Sequence, residues 1–127
     1  MIRNNYHTHT FRCGHAIGND EEYVLEAIAL GLNTLGFSDH VMLPNVKQEF
    51  VRGDYEATQG YFDSIRNLQN KYKDRINIKL GFEAEAFKKF FPYYKKLLDE
   101  KTIDYLILGN HCTLDKGLVR NFFSKIT

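Results

Sequence analysis

The chain has 127 residues, 43% of them hydrophobic, which is enough to bury one core and predicts one domain. Its 17 basic and 16 acidic residues leave a formal charge of +1, so a broad electrostatic footprint for nucleic acid or an anionic membrane is excluded, and a small substrate fits better than a long polyanion. No stretch reaches the roughly 20 apolar residues that span a bilayer, the opening MIRNNYHTHT lacks the apolar core of a signal peptide, and two cysteines, Cys13 and Cys112, fit a reduced chain better than a disulfide framework. The expectation is a soluble, cytoplasmic protein.

In chain order, Ile2 to Thr10 ends in alternating His and Thr and predicts a strand running into a loop. Asn19 with Glu22 three residues later has the form of a capping box, and Tyr23, Val24, Ala27, Ile28 and Leu30 then recur at helical spacing before Gly31. Thr34 to Ser38 is a brief apolar run, closed by Asp39 and His40, that suits a buried parallel strand. Residues 41 to 53 have no period and carry Pro44, Asn45 and Gly53, which predicts a loop. From Asp54 onward, Tyr61, Ile65, Leu68 and Tyr72 mark an amphipathic helix whose apolar face should cover a sheet.

Ile76 to Phe82 alternates apolar and polar before Glu83 and predicts a third strand. Phe91, Tyr94, Leu97 and Leu98 mark a helix with Pro92 in its first turn, and the pairs Lys88–Lys89 and Lys95–Lys96 read as exposed faces. Ile103 to Leu108 is a fourth strand that ends at Gly109, Asn110 and His111, and Leu118, Val119, Phe122, Phe123 and Ile126 predict a last helix. Strict alternation of strand and helix gives an α/β class with parallel strands, open sheet and barrel being equally compatible with the pattern.

All five histidines and one glutamate fall at predicted strand ends or in the loop after the first strand: His7 and His9, His15, His40, Glu83 and His111. In parallel α/β folds the C-terminal strand ends face the ligand site. Alternate residues of a strand share a face, so His7 and His9 can converge on one ion. Imidazole and carboxylate suit zinc, manganese or iron, and a carboxylate can bridge two ions. Glu85 would share a face with Glu83 if its strand continued. Asp39 could reach a metal or could orient a ligand as a hydrogen-bond acceptor.

The strings His7-Thr8-His9-Thr10, Cys13-Gly14-His15-Ala16, Gly36-Phe37-Ser38-Asp39-His40, Gly81-Phe82-Glu83 and Gly109-Asn110-His111 resemble, in order, the motifs of the polymerase and histidinol phosphatase (PHP) superfamily. The nearest branch is that of histidinol-phosphate phosphatase, a step of histidine biosynthesis. The resemblance implies that residues 1–127 are a partial PHP domain, the N-terminal portion, about four βα units, of a distorted (β/α)7 TIM-like barrel. It implies two or three divalent ions: His7, His9 and Glu83 on the first, Glu83 and His111 on the second, His15 and His40 on the third.

The implied reaction is hydrolysis of a small phosphate monoester such as L-histidinol phosphate by a metal-bridged hydroxide, with no side-chain nucleophile. Arg52 matches a position near the substrate phosphate in that branch and can bind it bidentately. The family's remaining ligands, a histidine and an Asp–His pair, have no counterpart after His111, which brings in the alternative of a catalytically silent metal-binding fragment; a phosphodiesterase of the same superfamily is a further alternative, against which the near-neutral charge counts. Half a barrel also leaves strand edges open, so the expectation is either self-association through the open side or a chain that is one fragment of a larger protein.

Overall fold

The computed structural model describes residues 4–13, 18–44, 54–109, 112–115 and 118–121. Within them run β1 (Asn4–Thr8), α1 (Asp20–Ala29), β2 (Thr34–His40), α2 (Thr58–Lys71), β3 (Asn77–Glu85), α3 (Phe91–Asp99), β4 (Tyr105–Gly109), β5 (Cys112–Asp115) and β6 (Leu118–Asn121). Short single-turn helices at Phe11–Cys13, Tyr55–Ala57 and Lys88–Phe90 precede the longer ones. Among the described residues, no helix is long and apolar enough to cross a membrane.

Helix α1 begins and ends where its residues dictate. The Asn19 side chain accepts the Glu22 N–H at 2.9 Å, and Asp20, Glu21 and Glu22 place negative charge on the helix's positive end. At the other end Gly31 takes φ +79°, its N–H donates to the Ile28 carbonyl, and the Leu32 N–H donates to that of Ala27. That is the reverse turn in which glycine replaces a strained L-residue. Helix α3 starts at Phe91 with Pro92 in its first turn, where no intrahelical N–H is lost.

Strands β1 to β4 are parallel, in the order β1-β2-β3-β4. The outward row of β2 and β3, comprising Leu35, Phe37, Ile78, Leu80, Phe82 and Ala84, joins Tyr61, Phe62, Ile65 and Leu68 of α2 in one buried cluster with Val24 and Ala27 of α1 and Tyr94 and Leu97 of α3. The Phe82 ring lies 5.3 Å from that of Tyr61 and 5.7 Å from that of Phe62. The sheet curls into a half-barrel. Flat strands about 4.8 Å apart would set β1 and β4 some 14 Å from each other, farther than a tyrosine reaches, yet the Tyr105 hydroxyl of β4 donates to the Tyr6 carbonyl of β1 at 2.6 Å.

Several strand boundaries and one element differ from expectation: β1 ends at Thr8 rather than Thr10, and β4 is Tyr105–Gly109 rather than Ile103 to Leu108. Strand β2 runs on through Asp39 and His40, and β3 through Glu83 to Glu85, because the ladder continues there: Asp39 pairs with Phe82 and His40 with Glu83. The predicted helix from Leu118 is corrected, for Leu118–Asn121 is a strand paired antiparallel with Cys112–Asp115. The apolar residues that fall there at helical spacing also suit a short strand, and pairing decides between the two. The rest of that predicted helix, 122–126, lies outside the described residues.

Candidate metal centre

On the inward row of the sheet, small and polar residues replace the aliphatic ones: Gly36, Ser38 and His40 on β2, Gly81, Glu83 and Glu85 on β3. At its C-terminal end His7, His9 and Glu83 bring one ligand atom each to within 4.8 Å of one another. His7 Nε2 lies 3.1 Å and His9 Nε2 3.3 Å from Glu83 Oε2, and the two Nε2 atoms are 3.2 Å apart. Zinc held at about 2.0–2.1 Å from tetrahedral donors sets those donors roughly 3.4 Å apart. The observed triangle therefore matches three corners of such a shell.

Glu83 Oε2 is buried and accepts no hydrogen bond. A buried carboxylate oxygen without a donor is costly, and a cation among these atoms would satisfy it. The donor set thus fits a divalent metal. His40 stands beside the triangle, its Nδ1 3.5 Å from Glu83 Oε2 and its ring centroid 4.6 Å from that of His9.

Asp39 supports the cluster from behind. It is almost fully buried, at 1% exposure. The Thr10 hydroxyl and the His40 N–H both donate to it, the latter at 2.8 Å, and His9 Nδ1 lies 3.5 Å from its Oδ1. The Asp39 N–H in turn donates to the buried Tyr61 hydroxyl, which donates to the Gly81 carbonyl. The hydrogen bond that His9 donates to the Asp39 carboxylate raises the His9 pKa above its ordinary value, and the charges of Asp39 and Glu83 add to it against the opposing effect of burial. A carboxylate on Nδ1 leaves Nε2 as the lone-pair atom, the one that faces Glu83.

Of the residues singled out from sequence, His7, His9, His40 and Glu83 come together, and Asp39 stands directly behind His9. Glu85 is buried further along the same row, outside the triangle, and its carbonyl accepts from the Tyr94 hydroxyl. His15, His111 and Arg52 lie outside the described residues. Lys88, Lys89, Lys95 and Lys96 are exposed. Three participants were not singled out from sequence as site residues: Thr10, whose buried hydroxyl holds Asp39, Asn5, which accepts the His7 N–H, and Tyr105, which donates to the Tyr6 carbonyl. Only the alternation of the HTHT string hinted at Thr10.

A parallel half-barrel that gathers two histidines and a buried carboxylate at its C-terminal strand ends defines a metal-binding α/β barrel protein. The chain belongs to the PHP domain family, which matches it over residues 5–126. It is 32% identical over 105 residues to a Deinococcus radiodurans protein named "Probable histidinol-phosphatase", with 83% of this chain and 40% of that protein covered. The crystal structure of hisK from Listeria monocytogenes superposes with a TM-score of 0.74 at 24% identity, covering 93% of this chain and 48% of the other. Histidinol phosphate phosphatase from Lactococcus lactis, solved with zinc, L-histidinol and phosphate, gives a TM-score of 0.67 at 28% identity, covering 86% and 40%. The chain thus spans less than half the length of these relatives.

Proposed function

We propose that the centre serves a metal-dependent phosphatase that hydrolyses a small phosphate monoester, with L-histidinol phosphate as substrate and zinc as the first ion. The observation that carries this reading is the convergence of His7, His9 and the hydrogen-bond-free Glu83 Oε2. The zinc, L-histidinol and phosphate bound by the Lactococcus lactis relative support both the ion and the substrate. His7, His9 and Glu83 would hold the first ion, and on the family resemblance His111 with Glu83, and His15 with His40, would hold the others, with Arg52 on the substrate phosphate.

When bound, divalent ions supply Lewis acidity toward phosphoryl oxygens and lower the pKa of water. The chain's own contribution is order. Asp39, fixed by the Thr10 hydroxyl and the His40 N–H, presents His9 in one tautomer and orientation. The central strands keep Glu83 buried, so that its charge is directed at a cation rather than spent on water.

The test is metal content by elemental analysis, together with zinc- or manganese-supported turnover of L-histidinol phosphate, of a generic aryl phosphate and of an aryl phosphodiester by the 127-residue chain. Stoichiometric metal with preferential turnover of L-histidinol phosphate is expected. Tight metal binding without turnover would overturn the enzymatic reading and leave a metal-binding chain; preference for a phosphodiester would overturn the substrate. Glu83→Gln should lose zinc by more than the roughly 100-fold that marks the upper end for residues behind the ligands.

A further inference from the structure

Strands β1 and β2 do not run in step. Asn5 pairs with Leu35 and Thr8 with Phe37, so three steps along β1 match two along β2. The extra residue falls in Tyr6–His7 and constitutes a β-bulge. Because side chains alternate with period two, one extra residue moves everything after it to the other face. In a regular ladder from Asn5–Leu35, His7 and His9 would share the outward row of Leu35 and Phe37 and enter the helix-covered core. The bulge instead places them on the inward row with Glu83.

Two side chains hydrogen-bond the backbone of the bulge itself. Asn5 Oδ1 accepts the His7 N–H at 2.9 Å, and the Tyr105 hydroxyl donates to the Tyr6 carbonyl at 2.6 Å. Tyr105 reaches there from the far edge of the sheet by crossing two glycines. A Cβ at Gly36 would stand 2.5 Å from the Tyr105 oxygen, and one at Gly81 would stand 2.7 Å from its ring carbons. The Tyr6 ring meets the Tyr105 ring edge-on, at 5.8 Å and 79°. Burial pushes the Tyr105 phenol well above its ordinary pKa, which keeps the proton on the donor.

We infer that Tyr105 is a positioning residue of the metal centre: with Asn5 it holds the bulge in β1 and so turns His7 and His9 toward Glu83. The inference rests on the metal reading above. Without these two bonds the bulge can shift along β1, and molecules in which the histidines face the core do not present the donor set. Apparent metal affinity falls with that fraction.

Zinc affinity by chelator competition, chemical denaturation of the metal-free chain, and the imidazole 15N resonances of His7 and His9 should be measured for wild type, Tyr105→Phe, Asn5→Ala and Asn5→Ser. Tyr105→Phe keeps the ring over the glycines and loses only the donor. It and Asn5→Ala should each weaken zinc about tenfold, in the range of residues behind metal ligands, with the denaturation midpoint nearly unchanged and the His7 resonance shifted. Asn5→Ser, which retains an acceptor for the His7 N–H, should recover part of the affinity. Wild-type zinc affinity in Tyr105→Phe, or a loss that merely tracks lost stability, overturns the inference. A wild-type chain that takes up no zinc overturns the metal reading alone, and the metal-free His7 and His9 resonances then decide the role of Tyr105, unmoved signals in Tyr105→Phe refuting it.

Discussion

The two faces of the same strands are built by different physics. Outward, Leu35, Phe37, Ile78, Leu80, Phe82 and Ala84 pack with three helices in one continuous apolar cluster whose stabilisation scales with buried area and tolerates changes of detail. Inward, Gly36, Ser38, Gly81 and the cluster of His7, His9, His40 and Glu83 contribute little apolar area, and the geometry depends on single hydrogen bonds to Asp39, to the β1 bulge and across the glycines. A strand can therefore carry stability on one face and chemistry on the other, and mutations should separate the two.

The largest separation is expected at Phe82, which is fully buried against Tyr61 and Phe62. Phe82→Ala should cost about 3–5 kcal/mol of unfolding free energy in denaturant titrations, with zinc affinity of the folded fraction little changed. Asp39→Asn should do the reverse, lowering zinc affinity about 10- to 100-fold in chelator competition because His9 loses its carboxylate. Equal losses on both measures in either variant would break the division of faces.

A pH titration sharpens it further. His9 has a raised pKa, so in the metal-free chain its contact with Asp39 contributes stability that is fully present below the unfolded value of about 6.5. That contribution is lost as pH rises through the folded value. Metal uptake needs the lone pair, so zinc affinity should move the opposite way, falling up to about tenfold per pH unit as pH drops through the same raised value. Denaturation midpoints and zinc affinities followed together across pH would show the crossing trends, and parallel trends would refute the assignment. The smallest effect is expected far from both faces. Asn19→Ala should remove the α1 cap at a cost of about 1 kcal/mol, measured by denaturation, with zinc binding unmoved.

Much of the framework was legible in the residues because its causes are local. The Asn19 cap, Gly31, Pro92 and the spacing of Tyr61, Ile65 and Leu68 announce α1, α2 and α3, and the alternation of strand and helix announces the parallel sheet. Errors arose where pairing decided the outcome. Asp39, His40, Glu83 and Glu85 are polar strand ends that only a neighbouring ladder keeps extended. Leu118 and Val119 suit helix or strand equally, and β5 supplies the partner.

For the site, the sequence by itself determined the ligand types, their position at strand ends and the shared face of His7 and His9, since composition and a period of two suffice for that. Which face they share was decided only by the tertiary structure. It depends on one extra residue in β1, held by Tyr105 from a strand 99 positions away, and a register shift sustained by a distant hydroxyl leaves no periodicity in the chain to be read.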